Sequence, residues 1–273
     1  MAMKIKSFAV AVALAATMHA FAAGPSPEVA VAALVSRHAE QVEAGDGAAA
    51  AASCRTALAS DAMGRFAPVA NSMLGVDLIA SGDAEEGAKI LARLVLPNAA
   101  NADEVSRSAD IMARRWLSRL DREKVVAALK AYYAENVAYP DSLEPLRAAK
   151  PAPPLRDRWG DQWNYKLANF KLLKGVSGQR YTLESRNVGR ASDLAKAVAA
   201  RASSPVPEGW KVSKGSSADA VSVMLETADG ARSVLREGSV HAGIRFVCLA
   251  GQSALFSTGD AWFLVPLSKG GAK

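Results

Sequence analysis

Cysteine is nearly missing from this chain of 273 residues: Cys54 and Cys248 are the only two. No C-x-x-C pair exists, which argues against dithiol redox chemistry and against the common zinc ribbons. Histidine is equally scarce, with three in all. Two of them, His38 and His241, lie far apart in segments of different type, so a Ser-His-Asp or Cys-His arrangement would have to be assembled across the fold. The chain has no G-x-S-x-G elbow, no H-E-x-x-H, no acidic D-x-D loop and no glycine loop opening a helix. Serine-hydrolase, metalloprotease and phosphate-cradling chemistries therefore have no motif to rest on. We read no catalytic, cofactor-binding or metal-binding residue and no small-molecule substrate, and expect a protein that is not an enzyme.

Long apolar runs and charge of one sign are also lacking. The formal charge is +6, and removal of Lys4 and Lys6 with a leader (below) leaves 6 − 2 = +4. The excess is scattered, without a lysine-arginine block or interleaved aromatics, so nucleic acid is a poor partner. The acids group as Glu85-Glu86, Asp103-Glu104 and Asp121/Glu123. These are positions where complementing a helix dipole explains them without acid–base catalysis.

What is present begins with a leader. Lys4 and Lys6 precede an apolar run over residues 8–16, and Ala20-Phe21-Ala22 fits a small-x-small cleavage site. The run is shorter than the roughly 20 residues that a membrane span needs. Residues 1–22 are read as a signal peptide cleaved near Ala22, giving a periplasmic protein. In an oxidising compartment Cys54 and Cys248 have two options, a disulfide or two buried thiols acting as small hydrophobes. Their assignment to different segments, an alanine-rich helix and a strand, favours the second.

Residues 27–120 are alanine-rich and read as helices. Ser26-Pro27-Glu28 is a start signal, and Gly45-Asp46-Gly47 and Ser81-Gly82-Asp83 are breaks. Asn71, Leu74, Gly75 and Leu78, followed by Gly87, Leu91 and Pro97, fall in the phase of a helical hairpin whose small residues let two helices approach. This segment resembles tetratricopeptide-type hairpins, although the large aromatic positions of that repeat are not filled. Two further helices are expected from Asp103-Glu104 and from Asp121-Arg122-Glu123.

The stretch after the second of these carries three aromatic anchors separated by turns. Tyr139-Pro140 stops the helix, since the residue before proline is pushed out of the α region. Asp157-Arg158-Trp159-Gly160-Asp161 is a turn into Trp163-Asn164-Tyr165, and Tyr181-Thr182-Leu183-Glu184-Ser185 alternates like a half-buried strand. A helix docked on a small antiparallel sheet follows. The order x-Y-P, L-x-x-L, D-x-W-G-x-x-x-x-Y, Y-x-L-x-S, on Tyr139, Pro140, Leu143, Leu146, Asp157, Trp159, Gly160, Tyr165, Tyr181, Leu183 and Ser185, is similar to the globular domain of the major pseudopilin of type II secretion systems. The likeness covers residues 122–193, about a quarter of the chain. It implies that these are structural signature positions. Two features depart from the family. No apolar membrane helix precedes Arg122. In place of the family's calcium loop, residues 186–193 offer Asp193 among Arg186 and Arg190, a poor cage for a cation that wants six to eight oxygens.

Residues 193–202 read as one more short helix, and residues 203–209, serine- and proline-rich, as a linker. From Trp210 the pattern turns to short strands. Val221-Ser222-Val223-Met224-Leu225 is followed by the hairpin signal Asp229-Gly230, and four more strands end at Leu267. This predicts a small β-barrel or sandwich over residues 210–268. The spacing of Val234, Gly238, Gly243, Val247, Leu255, Gly259 and Leu267 resembles the periplasmic β-domain of type II secretion clamp and type IV pilus assembly proteins.

The fold expected is therefore α+β and multidomain. A helical domain (27–120) precedes a pseudopilin-like helix-on-antiparallel-sheet middle (121–202), a linker (203–209) and a small β-domain (210–268). The resemblances imply an exported, non-enzymatic adaptor of a type II secretion or type IV pilus-like apparatus. Its partners would be other secretion or pilus-assembly proteins, through which it associates peripherally with the membrane. Two other readings stand beside it. One is a general periplasmic helical-repeat scaffold. The other is a glycan-binding or hydrolytic envelope protein using Trp159, Trp163 and Tyr165, residues whose alternation otherwise makes them core and edge of the sheet.

Overall fold

The computed structural model describes residues 25–171, 177–201, 205–215 and 221–268. The leader read on residues 1–22, and Ser203 and Ser204 of the linker, lie outside them. The chain is α+β: the described residues form an N-terminal helical region, a C-terminal β region and three small antiparallel sheets.

Helix α1 (Pro27–Glu43) starts where the proline and Glu28 suit a first turn, and α2 (Gly47–Ala59) follows an Asp46 cap whose carboxylate accepts from the Ala49 N–H. Between them Gly45 takes φ +76°, which a side chain would resist. A 3₁₀ turn (Asp61–Phe66) leads to α3 (Ala67–Ala80) and α4 (Ala84–Ala92). These two meet at glycines. A Cβ on Gly87 would lie 2.5 Å from the Gly75 carbonyl oxygen, and one on Gly75 would lie 2.7 Å from Leu91 Cγ. The backbones touch there, and α3 is buried nearly all round.

The next helix departs from expectation. The two starts at Asp103 and Asp121 belong to one helix, α5 (Glu104–Asn136), of 33 residues. Only Asp103 caps it, accepting from the Ser106 N–H at 2.9 Å. Asp121 is a buried mid-helix residue paired with Arg158 and Lys124, so its acidity marks a tertiary contact and not a first turn. The division expected at residues 120/121 thus falls inside α5. The helix ends before Tyr139-Pro140 with Val137 at φ +56°, a left-handed cap.

Strands β1 (Asn164–Lys171) and β2 (Ser177–Glu184) form an antiparallel pair, Tyr165 opposite Leu183 and Leu167 opposite Tyr181. A 3₁₀ turn (Gly189–Ser192) and the short α6 (Leu194–Ala200) return the chain to the helices. Strands β3 (Lys211–Lys214), β4 (Ser222–Glu226) and β5 (Arg232–Arg236) make one sheet. Strands β6 (Val240–His241), β7 (Ile244–Ala250), β8 (Ser253–Ser257) and β9 (Trp262–Pro266) make another. The turn at Asp229-Gly230 joins β4 to β5 as its sequence demands, with Gly230 at φ +81°.

Strand alternation explains how the two C-terminal sheets are used. Phe246, Phe256, Phe263 and Val265 point to one side and pack with Val212, Val223, Leu225 and Leu235 of the three-stranded sheet. This is the sandwich expected, tied along one side by a parallel bridge between Val212 and Leu267. On the other side Val247, Cys248, Ala250, Leu255 and Trp262 enter the same core as Val35, Met73, Met112 and Trp116 of the helices. A bulge between Phe246 and Cys248 helps turn consecutive residues inward. The four-stranded sheet is therefore a middle layer, covered on both faces. Its link to the helices includes a buried hydrogen bond from Trp262 Nε1 to Ser72 Oγ, 2.8 Å. Among the described residues no helix is long and apolar enough to cross a membrane.

Candidate functional site

Two places gather the informative side chains. The first is the face where the C-terminal half of α5 lies over β1 and β2. Val125 and Leu129 pack with Leu146, Trp163 and Leu183. All five tyrosines of the chain collect around this core. Tyr139 lies 4.6 Å from Tyr133 and 4.8 Å from Tyr181, centroid to centroid, and Tyr165 is 6.0 Å from Tyr181. Tyr165 Oη donates to the Pro140 carbonyl at 2.7 Å. Burial, with Tyr181 and Asp141 nearby, pushes the Tyr165 phenol up to about 12, so it stays a donor.

The turn chemistry is joined to this core through Asp157, which is buried. Its Oδ2 accepts from Ser185 Oγ (2.7 Å) and Asn187 Nδ2 (3.0 Å), and its Oδ1 from the N–H groups of Trp159 and Asp161. Ser185 Oγ in turn accepts from the N–H groups of Asn187 and Val188. Gly160 takes φ +87° and donates its N–H to the Asp157 carbonyl, closing the turn. Tyr139, Pro140, Asp157, Gly160, Tyr165, Tyr181, Leu183 and Ser185 thus meet in one module. Trp159 differs: it is half-buried, bonded through its backbone, and outside the core cluster. The buried tryptophan is Trp163, whose Nε1 donates to the Pro154 carbonyl. Trp163 is accordingly not displayed as a sugar platform.

Arginines clamp this module to the middle of α5. Arg122 Nε donates to the Leu183 carbonyl and Arg119 Nε to the Ala191 carbonyl. One turn earlier, Arg115 grips Asp260 of the β8–β9 turn with two hydrogen bonds. Arg119 Nη1 lies 2.7 Å from Asp260 Oδ1 but off hydrogen-bond alignment, an attraction of charge more than direction. Burial tends to raise the Asp260 pKa, but the two arginines outweigh it and hold the carboxyl below its ordinary range.

The second place is a cavity of about 310 Å³ between α1, α3, α5 and β9, lined by Val35, His38, Met73, Met112, Arg201 and Trp262 among others. At its wall His38 Nε2 lies 3.0 and 3.1 Å from the two oxygens of Asp77. Arg201, just past α6, ion-pairs with Asp77 Oδ1. Asp77 is 1% exposed, and the two partners account for its burial. Cys54 of α2 completes the group: donor atoms of His38, Cys54 and Asp77 all lie within 4.8 Å of one another. Cys54 is fully buried, and burial, then Asp77, push its thiol up to about 12. A thiol in that state is no nucleophile, and Nε2 of His38 faces the carboxylate.

No protein-family model matches the chain, and neither a curated protein nor a solved structure matches it.

No sequence motif marks the second place. His38, Cys54 and Asp77 sit on three successive helices, and no spacing within one element joins them. Only the packing of α1, α2 and α3 brings them together. Cys54 and Cys248 are both buried free thiols, and both belong to the core shared by the helices and the four-stranded sheet.

Proposed function

We propose that this protein is an exported, non-enzymatic adaptor that binds other proteins through its helix-on-sheet module, in a type II secretion or type IV pilus-like apparatus. The observation that supports this reading is the module itself. Half of a long helix is laid across a two-stranded antiparallel sheet, with the Tyr-Pro, Asp-x-Trp-Gly and Tyr-x-Leu-x-Ser landmarks knit into its core and into the tight turn at Asp157–Asp161. The half of the helix that would be free in a filament subunit is occupied here, since Val105, Ala109, Met112, Trp116 and Leu117 are buried in the helical core. That arrangement suits a soluble adaptor and not a polymerising subunit. Among the described residues β1 and β2 pair only with each other, so each offers an edge for strand addition. Asn164, Lys166, Ala168 and Phe170 of β1 are exposed.

The rival scaffold reading places binding on the outer helices. A photo-crosslinking residue at Ala168 on β1, compared with one at Glu40 on α1, separates the two in intact envelopes. Crosslinks through position 168 to a secretion or pilus-type subunit are expected. Crosslinks only through position 40, or none to such a subunit, would overturn the proposal.

A further inference from the structure

We propose that His38, Cys54 and Asp77 form a binding site for a thiophilic divalent cation of the zinc type, with an open coordination position facing the cavity. Three donors of three kinds, an imidazole nitrogen, a thiol sulfur and a carboxylate oxygen, lie within 4.8 Å of one another. A tetrahedral zinc ion with bonds of about 2.0–2.3 Å sets its ligand atoms about 3.5 Å apart. Shifts of about 1 Å or less therefore close the group around an ion at that spacing. The sulfur ligand selects zinc-like metals over calcium and magnesium, which take oxygens.

The surroundings are those of a ligand set. Arg201 holds Asp77 Oδ1, leaving Oδ2 beside His38 Nε2. A ligating carboxylate fixed through its second oxygen is the usual supporting arrangement. The three ligands come from three packed helices, α1, α2 and α3, so their backbones are held independently of any loop. His38 and Arg201 reach the wall of the cavity, whose other lining residues include Val35, Met73, Met112 and Trp262. Three protein ligands with such a space beside them leave a fourth position for water or a small molecule.

The proton balance is simple. The ion enters between Nε2 and Oδ2, where Nε2–H now donates to the Asp77 carboxylate; the ion displaces that proton, and the bound imidazole stays neutral with its single proton taken up on Nδ1. Cys54 gives up its thiol proton to solvent and becomes a thiolate ligand. Without metal, Arg201 and Asp77 neutralise each other. With a divalent ion the group carries one net positive charge, so a small anion in the fourth position is favoured. This site is independent of the helix-on-sheet module.

Titration of the untagged protein with Co²⁺ tests the inference. One ion per chain is expected, with a thiolate-to-cobalt charge-transfer band and tetrahedral d–d absorption. Both should vanish in Cys54→Ser and in His38→Ala and persist in Cys248→Ser. Because substitutions in a core can unfold it, the zinc-loaded wild-type protein provides a second measurement. X-ray absorption should show one sulfur at about 2.3 Å with lighter ligands nearer. No cobalt band in the folded wild type, a band that survives Cys54→Ser, or a zinc shell without sulfur would overturn the proposal.

Discussion

The buried hydrogen bond from Trp262 to Ser72 gives a direct test of whether the C-terminal sheet and the helices form one cooperative unit. Trp262 is 5% exposed and Ser72 is fully buried. Its Nε1 donates to Ser72 Oγ at 2.8 Å, and the same hydroxyl donates to the Val69 carbonyl. Ser72→Ala leaves the indole N–H buried without an acceptor, which costs about 1–3 kcal/mol. Alanine recovers a few tenths of a kcal/mol, roughly, of helix propensity. The expected net loss is about 1–2 kcal/mol. Trp262→Phe removes the donor but leaves Ser72 bonded to Val69, so its cost is volume, about 1–2 kcal/mol. The double variant loses the hydrogen bond once only, and should be about 1 kcal/mol more stable than the two losses added. Urea unfolding followed by far-ultraviolet circular dichroism, which reports the helices, and by tryptophan fluorescence supplies the numbers. The two probes should give one coincident transition in every variant. Separate transitions for helices and sheet, or additivity to within about 0.3 kcal/mol, would refute the shared core.

The other predictions follow the same geometry. Gly87→Ala should destabilise the protein despite a propensity gain of about 1 kcal/mol. The added methyl meets the Gly75 carbonyl oxygen at 2.5 Å, where only separation of two backbones gives relief. A midpoint in urea equal to or above wild type would show the crossing to be loose. Ser185→Ala removes a donor to Asp157 and the acceptor of two N–H groups, and should cost about 2 kcal/mol or more. A loss under half a kcal/mol, roughly, would deny the turn its hub. The depressed folded-state pKa of Asp260 contributes stability that is present above its ordinary value of 3.8 and lost as pH falls through the folded value. Asp260→Asn should therefore flatten the acid limb of the stability–pH curve, and an unchanged limb counts against the arginine clamp. Burial raises both thiols to about 12, so neither Cys54 nor Cys248 should be alkylated in the native protein at pH 8, while both should react in denaturant.

Local signals were legible wherever the backbone alone decides the outcome. Pro27 and Glu28 mark the first helix, Gly45 and Gly82 the breaks, and Asp229-Gly230 the hairpin. In the middle segment Tyr139, Tyr165 and Tyr181 gather around one core, because a ring that must bury a large face leaves few arrangements open, whereas Trp159 stays outside it. Signals that depend on a partner elsewhere in the chain misled. Asp121 and Glu123 look like the acidic first turn of a helix, but Asp121 is a buried ion-pair partner of Arg158. The C-terminal strands look like a separate small domain when read for turns alone. Their near-continuous apolar runs, Phe246-Val247-Cys248-Leu249 and Trp262-Phe263-Leu264-Val265, are those of strands buried on both faces. The His38, Cys54 and Asp77 group was unreadable for a plainer reason: each donor has an ordinary place on its own helix, and only the helix packing makes a site.

The continuity of α5 sets how the proposed adaptor transmits a load. A helix of 33 residues spans about 50 Å at 1.5 Å per residue. Its first half is bound on several sides, by α3, α4 and the middle sheet, and its second half carries the hairpin. Arg115, Arg119 and Arg122 recur at intervals of four and three, so they fall along one face of the helix. They reach Asp260, Ala191 and Leu183 in turn. Of the three, Arg122 grips the hairpin itself through Leu183, Arg119 holds the 3₁₀ turn that follows it, and Arg115 holds the β8–β9 turn. A partner that pulls on β1 or β2 acts on the helical core through a rigid rod and not through a linker. If so, breaking the clamp with Arg122→Ala should leave the urea midpoint of the helical core nearly unchanged. It should also speed hydrogen exchange at β1 and β2 amides by tenfold or more, the factor that a loss of about 1.4 kcal/mol would produce. Equal acceleration in both regions would mean that the hairpin has no independent opening, and that the rod is not what holds it.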